Sequence, residues 1–329
     1  MNDNGHKSII NQIELAYSPM SNYAFNILKN DIAIQKALEQ SHLYIIAQQP
    51  VLSFENIVPD EDEKLIRFEI HKKNSDNVLK CELPFFQENL ATKPECEVIM
   101  YVGSNDPNYV KSNPPLNNIH GIKFYEKNMS NENFLVWFSP EKFLHNCFKG
   151  YFNAKIEGNY RDFFDYNVHY IGKATDQDIW KRLTGHSTLQ DILSVEYPFT
   201  YGELPTHEIT LLLFSFYDNL EIKTYGINSS IDDMVNSLLG KNRPDRKEIF
   251  LDAEKALVKA MQPKYNKIKF KKYPNYKKGL KELNYDTYSY TFMDPITLKF
   301  DEGEIKGGLT NLGGDLILVK ENKMEVLKN

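Results

Sequence analysis

The spacing of apolar and polar residues predicts alternating helices and strands in the first third of the chain. A helical pattern over residues 23–50 shifts to a strand-like run at residues 43–47. Residues 65–71 and 78–83 flank an Asn-Ser-Asp-Asn turn and therefore predict a β-hairpin. These elements indicate an α+β domain over residues 1–130, to which the pattern assigns no role.

The rest of the chain predicts two further units. Residues 134–138 favour a strand and residues 140–152 a helix, while the apolar run at residues 209–216 is typical of a central strand covered on both faces. These elements belong to a unit over residues 131–275. Short alternating runs and glycine pairs predict a β-rich extension over residues 276–329. The predicted fold class is therefore α/β, in its α+β form.

A strand, a turn and a helix are predicted in succession between residues 168 and 186. The β-rich run at residues 168–171 is followed by a glycine and then by Thr175 or Asp176, either of which can cap a helix. Ile179 and Leu183 then repeat at helical spacing. This βα unit is the stretch around which we expect the second domain to be organised.

Polar residues of this βα unit are predicted to converge. Arg182 and His186 stand four residues apart and would share one face of a helix, near the strand that carries Tyr170 and Lys173. A phenol, an amine, a guanidinium and an imidazole in one small volume suit catalysis. An ordinary βα unit with solvated polar residues fits the same pattern.

A second informative stretch is the helix predicted over residues 247–262. Phe250, Leu257 and Met261 mark its apolar stripe, and Glu254 falls within that stripe. A carboxylate there needs a cation, a partner or a catalytic task, because burial of an unpaired charge costs several kcal/mol. The alternative is that Ala253 occupies the stripe and Glu254 flanks it in water.

Composition narrows the classes of protein to which this chain can belong. The cysteines Cys81, Cys96 and Cys147 show no paired spacing, so neither a disulfide framework nor a zinc site is predicted. No apolar run reaches the ~18 residues of a membrane span. We therefore expect a cytoplasmic protein without a membrane partner. The net charge of −6 argues against a protein that coats nucleic acid with its whole surface, but it permits a local basic patch.

Such a patch is predicted after the second helix. Every charged residue from Lys259 to Lys281 is a lysine, and aromatic residues are interleaved with them. Basic and aromatic side chains mixed in this way suit a phosphate backbone with nearby bases, although a solvated tail has the same composition. The candidate nucleic-acid contacts are Lys264, Lys269, Lys271 and Lys272.

The two informative stretches together resemble the GIY-YIG nuclease superfamily. Its second motif resembles Tyr170-Ile171-Gly172-Lys173, its helical motif resembles Arg182 with His186, and its metal-site helix resembles Glu254 followed by Pro263-Lys264-Tyr265-Asn266. The order of these parts also fits, and the resemblance covers about residues 131–270. It implies a small mixed sheet flanked by helices.

The first motif of that family is the least clear in this sequence. Its Gly-Ile-Tyr-like strand has its nearest match at Gly158-Asn159-Tyr160, which makes Tyr160 a candidate. The polar context is unlike a core strand. The strand at residues 134–138 is the alternative, with Trp137 or Phe138 at the tyrosine position.

The resemblance also implies a division of roles. Glu254 would hold one divalent metal, Mg²⁺ or Mn²⁺, whose remaining ligands are water and phosphate. Arg182 would brace the scissile phosphate. Tyr170 would transfer a proton with Lys173 or the metal as its cationic neighbour. His186 would orient or relay a proton, and Asn266 would fix water or backbone beside the metal or contact the nucleic acid.

Two functions remain open on the sequence. The first is a metal-dependent DNA endonuclease, in restriction or anti-phage defence, with a protein partner or a second copy bound through residues 1–130. The second is a catalytically inactive protein with a GIY-YIG-like fold that binds nucleic acid or has a regulatory role. A second tyrosine near Arg182 and Glu254 would favour the first.

Overall fold

A computed structural model describes most of the 329 residues. The described ranges are 5–90, 97–128, 131–196, 206–241, 243–277, 279–309 and 313–329. The strands, numbered in chain order, are β1 His6–Leu15, β2 Met20–Ser21, β3 Leu43–Pro50, β4 Leu52–Asp60, β5 Leu65–Lys72, β6 Val78–Pro84, β7 Glu97–Gly103, β8 Gly121–Asn128, β9 Asn131–Phe138, β10 Lys155–Glu157, β11 Asp165–Lys173, β12 His207–Thr224, β13 Thr287–Phe292, β14 Thr297–Phe300, β15 Gly303–Lys306, β16 Leu316–Lys320 and β17 Lys323–Leu327. The α-helices are α1 Asn22–Leu28, α2 Ile32–Leu38, α3 Pro140–Phe148, α4 Ile179–Thr184, α5 Ser187–Glu196, α6 Ile231–Leu238 and α7 Arg246–Met261.

One large mixed sheet organises the molecule. Its strand order is β15–β14–β11–β3–β12–β1–β13–β16–β17, and β2 adds to β12. β12 pairs antiparallel with β3 through its first half and with β1 through its second half. The α+β class predicted from the sequence is confirmed, although the sheet is larger than the small one expected.

The sheet takes strands from all three predicted domains. β1 to β3 precede residue 130, β11 and β12 lie between the two predicted boundaries, and β13 to β17 follow residue 275. Those boundaries therefore do not separate one sheet from another. The chain between β3 and β11 is an insertion into this sheet, and it holds a four-stranded sheet, β10–β6–β5–β4, and a three-stranded sheet, β7–β8–β9.

The central strands are buried on both faces, which explains their continuous apolar sequence. Along β3, Leu43 and Ile45 belong to one core cluster, while Tyr44 and Ile46 belong to the other. The cluster with Tyr44 includes residues of α1, α2, α4 and α5, and the opposite cluster includes the buried stripe of α7. Helices therefore pack against both faces of these strands.

A pair of carboxyl groups lies where the insertion meets the sheet. Gln49 Nε2 at the end of β3 donates to Glu141 of α3 and to Glu208 of β12, each at 3.0 Å. Burial, together with the charge of its neighbour Glu141, raises the pKa of Glu208 to about 8. Burial also raises the pKa of Glu141. The two carboxyl groups therefore keep a proton where an exposed pair would lose it.

Several local predictions are met and one is corrected. The hairpin predicted around residue 75 is formed by β5 and β6, and the helix predicted near Glu254 is α7. The helix after Gly172 begins later than predicted, with Asp178 rather than Thr175 or Asp176 at its N-cap. Cys81 and Cys147 are free thiols, and Cys96 lies outside the described residues. No helix in the described ranges is long and apolar enough to cross a membrane.

Candidate active site

Two tyrosines on neighbouring strands form the centre of the candidate site. β3 carries Tyr44 and β11 carries Tyr170, and the two strands pair antiparallel with Gly172 opposite Tyr44. The ring centroids lie 6.0 Å apart. A Cβ atom on Gly172 would lie 2.5 Å from Cζ and Oη of Tyr44 and 2.6 Å from Cε1 of Tyr170. Only glycine fits this position, because both rings close over its backbone.

A β-bulge in β11 sets the direction of Tyr170. Val168 pairs with Ala47 and Tyr170 pairs with Ile46, so His169 is the extra residue. Residues two apart on a regular strand share a face, but the bulge places Val168 in one core cluster and Tyr170 against the other. Tyr170 therefore faces the same side of the sheet as the tyrosine of β3.

Asn266 holds the bulged strand in position. Its Oδ1 accepts from the Ile171 amide at 2.9 Å, and its Nδ2 donates to the Ile171 carbonyl at 2.7 Å. The side chain is buried. Asn266 was predicted to contact nucleic acid or to fix water or backbone. The structure assigns its amide to the backbone beside Tyr170, so it is a positioning residue.

Helix α4 brings Arg182 to both phenols. Ile179 and Leu183 bury one side of this helix, and Arg182 is left half-buried. Burial raises the pKa of Tyr44 and of Tyr170, and the adjacent guanidinium opposes this rise only in part. Both hydroxyl groups therefore keep their protons near neutral pH. The buried Tyr44 hydroxyl receives no hydrogen bond of good geometry from the described residues.

His186 reaches the site from the junction of two helices. The prediction that it shares a helix face with Arg182 is wrong, because α4 ends at Thr184 and α5 begins at Ser187. His186 Nδ1 accepts from the Leu189 amide at 3.1 Å and so caps α5. Its ring lies 5.0 Å from the ring of Tyr170.

The surroundings of His186 keep it neutral. Burial and the positive charge of Arg182 lower the pKa of this imidazole to about 4. With Nδ1 engaged as an acceptor, the neutral ring carries its proton on Nε2. Nε2 is buried and has no hydrogen-bond partner among the described residues. His186 can thus donate a hydrogen bond toward the phenols at neutral pH, but it does not accept a proton there.

Glu254 approaches the tyrosines from the other face of the sheet. Ala253 occupies the buried stripe of α7, and Glu254 lies beside it with 13% of its side chain exposed. The Lys173 ammonium lies 2.7 Å from Oε2 of Glu254. Burial raises the pKa of Tyr170, and the charge of Glu254 adds to this rise. The prediction that Ala253 occupies the stripe is therefore met, but Glu254 does not lie in water. Its side chain is mostly buried and has a cationic partner.

Tyr160 is not brought to this site. It lies in a 3₁₀ turn, and its ring centroid is 6.4 Å from that of Phe164. It packs against the core cluster on the face of the sheet opposite to Tyr44. The alternatives also lie elsewhere, since Phe138 is buried in the insertion and Trp137 lies under Lys142. The tyrosine that lies beside Tyr170 is instead Tyr44 of β3.

The predicted lysine track divides into engaged and exposed members. Lys264 forms an ion pair of 2.6 Å with Glu196. Lys269 donates to the carbonyl groups that end α7, including that of Gln262 at 3.2 Å. Lys271 and Lys272 are exposed in the following turn. The last two remain the better candidates for phosphate contacts.

The residues present fit a single hydrated divalent cation. Within the described ranges, no three His, Cys, Asp or Glu side chains form a group that could hold a metal. Mg²⁺ commonly binds through one or two carboxylates and keeps several waters. Glu254 supplies one such carboxylate, and a cation bound there would take the place of the Lys173 ammonium, whose side chain is 30% exposed. Glu254 would therefore hold the ion.

Comparisons with protein-family models, with curated proteins and with solved structures find no match to this chain. The assignment of this site therefore rests on its own geometry.

Tyr44 is the residue that the sequence analysis missed. The run at residues 43–47 was read as a strand, and its apolar flanks indicate a strand buried on both faces. That pattern could have identified Tyr44 as a residue whose hydroxyl group lies within a buried strand. The predicted candidates, Tyr160 and residues 134–138, lie closer to Tyr170 in sequence, whereas the insertion separates β3 from β11.

Proposed function

We propose that the protein is a metal-dependent endonuclease that hydrolyses phosphodiester bonds in DNA. The observation that carries the proposal is the cluster of Tyr44, Tyr170, Arg182 and His186 on one face of the sheet. The ion pair of Glu254 with Lys173 lies on the other face, next to the same strand. The sequence left open a binding protein without a first tyrosine. The presence of Tyr44 beside Tyr170 and Arg182 favours the enzyme.

The chemistry of hydrolysis explains why these groups are useful together. The reaction needs an oriented water and positive charge opposite the phosphoryl oxygens as negative charge grows there. Arg182 has the planar fork that matches a phosphate. The protonated hydroxyls of Tyr44 and Tyr170 are donors that can position the water and the phosphoryl oxygens. A divalent cation bound at Glu254 would neutralise charge on the phosphate and lower the pKa of a bound water.

The segments outside the candidate site are large enough to select the DNA that is cut. The insertion between β3 and β11 and the strands after residue 275 are large relative to the candidate site. We therefore include a role in restriction or anti-phage defence in the proposal, along with a second copy or a protein partner bound through the N-terminal part. Lys271 and Lys272 would contact the DNA backbone.

A substrate panel tests the proposal. Purified protein is incubated with plasmid, single-stranded DNA and RNA in Mg²⁺, in Mn²⁺ and in EDTA. We expect DNA cleavage with either metal and none in EDTA. Glu254→Gln should abolish cleavage, because an amide binds a hard cation poorly. Glu248→Gln, in the first turn of the same helix, should cut normally. Absence of wild-type cleavage on every substrate, or full activity of Glu254→Gln, would refute the proposal.

A further inference from the structure

The insertion presents an open sheet face whose role the candidate active site does not explain. In the β7–β8–β9 sheet, Phe124 and Phe138 point into the core and are fully buried. Side chains alternate along a strand, so the neighbouring positions point outward. The pairing places Tyr101 opposite Lys123, and Tyr125 opposite Phe134, on the outer face.

Three of these outward residues form an aromatic row. The ring of Tyr101 lies 5.3 Å from that of Tyr125, which lies 5.5 Å from that of Phe134. Tyr101 is 48% exposed and Phe134 is 53% exposed. Cross-strand aromatic pairs stabilise a sheet, but that role does not require half of each outer residue to face water. Contiguous exposed apolar surface of this kind marks an interaction site.

Positive charge lies at one end of the row. Lys123 is exposed between Tyr101 and Trp137 in the strand register. The ammonium of Lys142 lies 4.1 Å from the centre of the Trp137 ring. Neither lysine forms an ion pair within the described part of the chain. Burial lowers the pKa of Lys142 to about 8, and the charge of Asp31 opposes this shift only in part.

Two acidic groups lie on the same face. Glu97 pairs with Lys127 at 2.9 Å. Glu132 accepts a hydrogen bond from the Tyr101 hydroxyl at 3.1 Å and keeps its negative charge. The three lysines of this face, Lys123, Lys127 and Lys142, outnumber these two carboxylates, so the balance is positive by one. An occupant that supplies anionic groups together with flat surfaces that stack suits this face.

We infer that this face binds an unpaired stretch of nucleic acid, with bases stacked on Tyr101 and Phe134 and phosphates near Lys123 and Lys142. A single strand offers both base faces and phosphates, whereas a duplex hides its base faces. The inference extends the proposed function by naming unpaired strand as the form that the insertion recognises. The binding assay below does not depend on cleavage.

The test measures binding of a labelled oligothymidylate by fluorescence anisotropy, in EDTA and in the Glu254→Gln background. Stacking on an aromatic side chain is worth about 1–3 kcal/mol per base, or roughly 5- to 150-fold in affinity. Tyr101→Ala with Phe134→Ala should therefore weaken binding by at least about 10-fold. The control is Tyr151→Ala with Tyr217→Ala, which removes two aromatic residues of 57% and 58% exposure elsewhere and should leave binding unchanged.

Charge reversal supplies a second, independent readout. Lys123→Glu should weaken binding and flatten its dependence on salt, because a phosphate contact releases counterions. Lys320→Glu, an exposed lysine on β16, should change neither. Melting temperatures show whether each variant is folded.

The outcomes separate this inference from the proposed function. If the wild type cuts DNA but the double aromatic variant keeps its affinity, the inference fails and the proposed function stands. If nothing is cut but the double variant loses affinity, the inference stands and the proposed function fails. Wild-type protein that does not bind the oligonucleotide, or binds a blunt duplex equally well, overturns the inference and leaves the face to a protein partner.

Discussion

Replacement of Gly172 by alanine is a direct test of the packing that brings the two tyrosines together. The added Cβ would lie 2.5 Å from Tyr44 and 2.6 Å from Tyr170, against at least 3.4 Å in ordinary contacts. Each ring must therefore shift by about 0.8–0.9 Å. The Tyr44 ring is fully buried and cannot move into solvent.

Two effects of different kind should follow from that shift. Overpacking of a core costs about 1–3 kcal/mol, so the free energy of unfolding of Gly172→Ala should fall by that amount. Displacement of catalytic groups by about 1 Å can lower a rate by roughly 10²-fold. We expect a loss of that order in single-turnover DNA cleavage at a temperature where the variant is fully folded.

Gly185 provides the matched control for this substitution. It lies between Arg182 and His186 in sequence, has a negative φ of −104°, and no atom lies within 4 Å of its added Cβ. Gly185→Ala should therefore change stability and cleavage little. Denaturant unfolding and cleavage are measured on both variants. Unchanged stability and unchanged cleavage in Gly172→Ala would refute the close approach of the two rings.

Three further predictions follow from buried polar groups. Tyr44→Phe should lower the cleavage rate by about 10²-fold or more. The variant should keep its stability, because the removed hydroxyl lacks a good hydrogen bond. The control is Tyr166→Phe, which also removes a buried hydroxyl without a partner among the described residues and should cut normally. The pKa of His186 is lowered from 6.5 to about 4, so the free energy of unfolding of the wild type should fall by about 3 kcal/mol at most as pH drops from 6.5 to 4. Denaturant titrations measure this fall, and His186→Gln should make it smaller. The pKa of Glu208 is raised from 4.5 to about 8, so the protonated carboxyl group contributes to the free energy of unfolding below pH 4.5, and this contribution is lost as pH rises toward 8. Glu208→Gln should therefore raise the melting temperature relative to wild type at pH 8 but not at pH 4. An equal shift at both pH values would contradict the raised pKa.

Local elements could be predicted from the sequence because their periodicity is local. The buried stripe of α7 repeats at helical spacing, and the long apolar run of β12 marks a central strand. The pairing of β3 with β11 could not be predicted in this way. The insertion lies between them, and no feature of residues 43–47 names a partner so far along the chain.

The site shows the same limit at the scale of single residues. Arg182, Tyr170 and Glu254 were chosen from motif order. The structure places Arg182 next to Tyr170 and pairs Glu254 with Lys173 on the other face of the sheet. The bulge at His169 was not predictable, because alternation over four residues does not reveal an extra residue in one strand of a pair. His186 was assigned to the wrong element because a single glycine ends α4 before it.

The central claim, that these groups stabilise a transition state for DNA hydrolysis, is tested most directly by single-turnover cleavage with Arg182→Ala. The measurement uses saturating protein and Mg²⁺, with substrate affinity determined in parallel in EDTA. Loss of one group that stabilises growing charge costs about 10²–10³ in rate. We expect a loss of this size with little change in affinity, and poor rescue by Arg182→Lys, because an ammonium lacks the planar fork. Parallel losses in cleavage and affinity, or a wild-type rate retained by Arg182→Ala, would contradict the account.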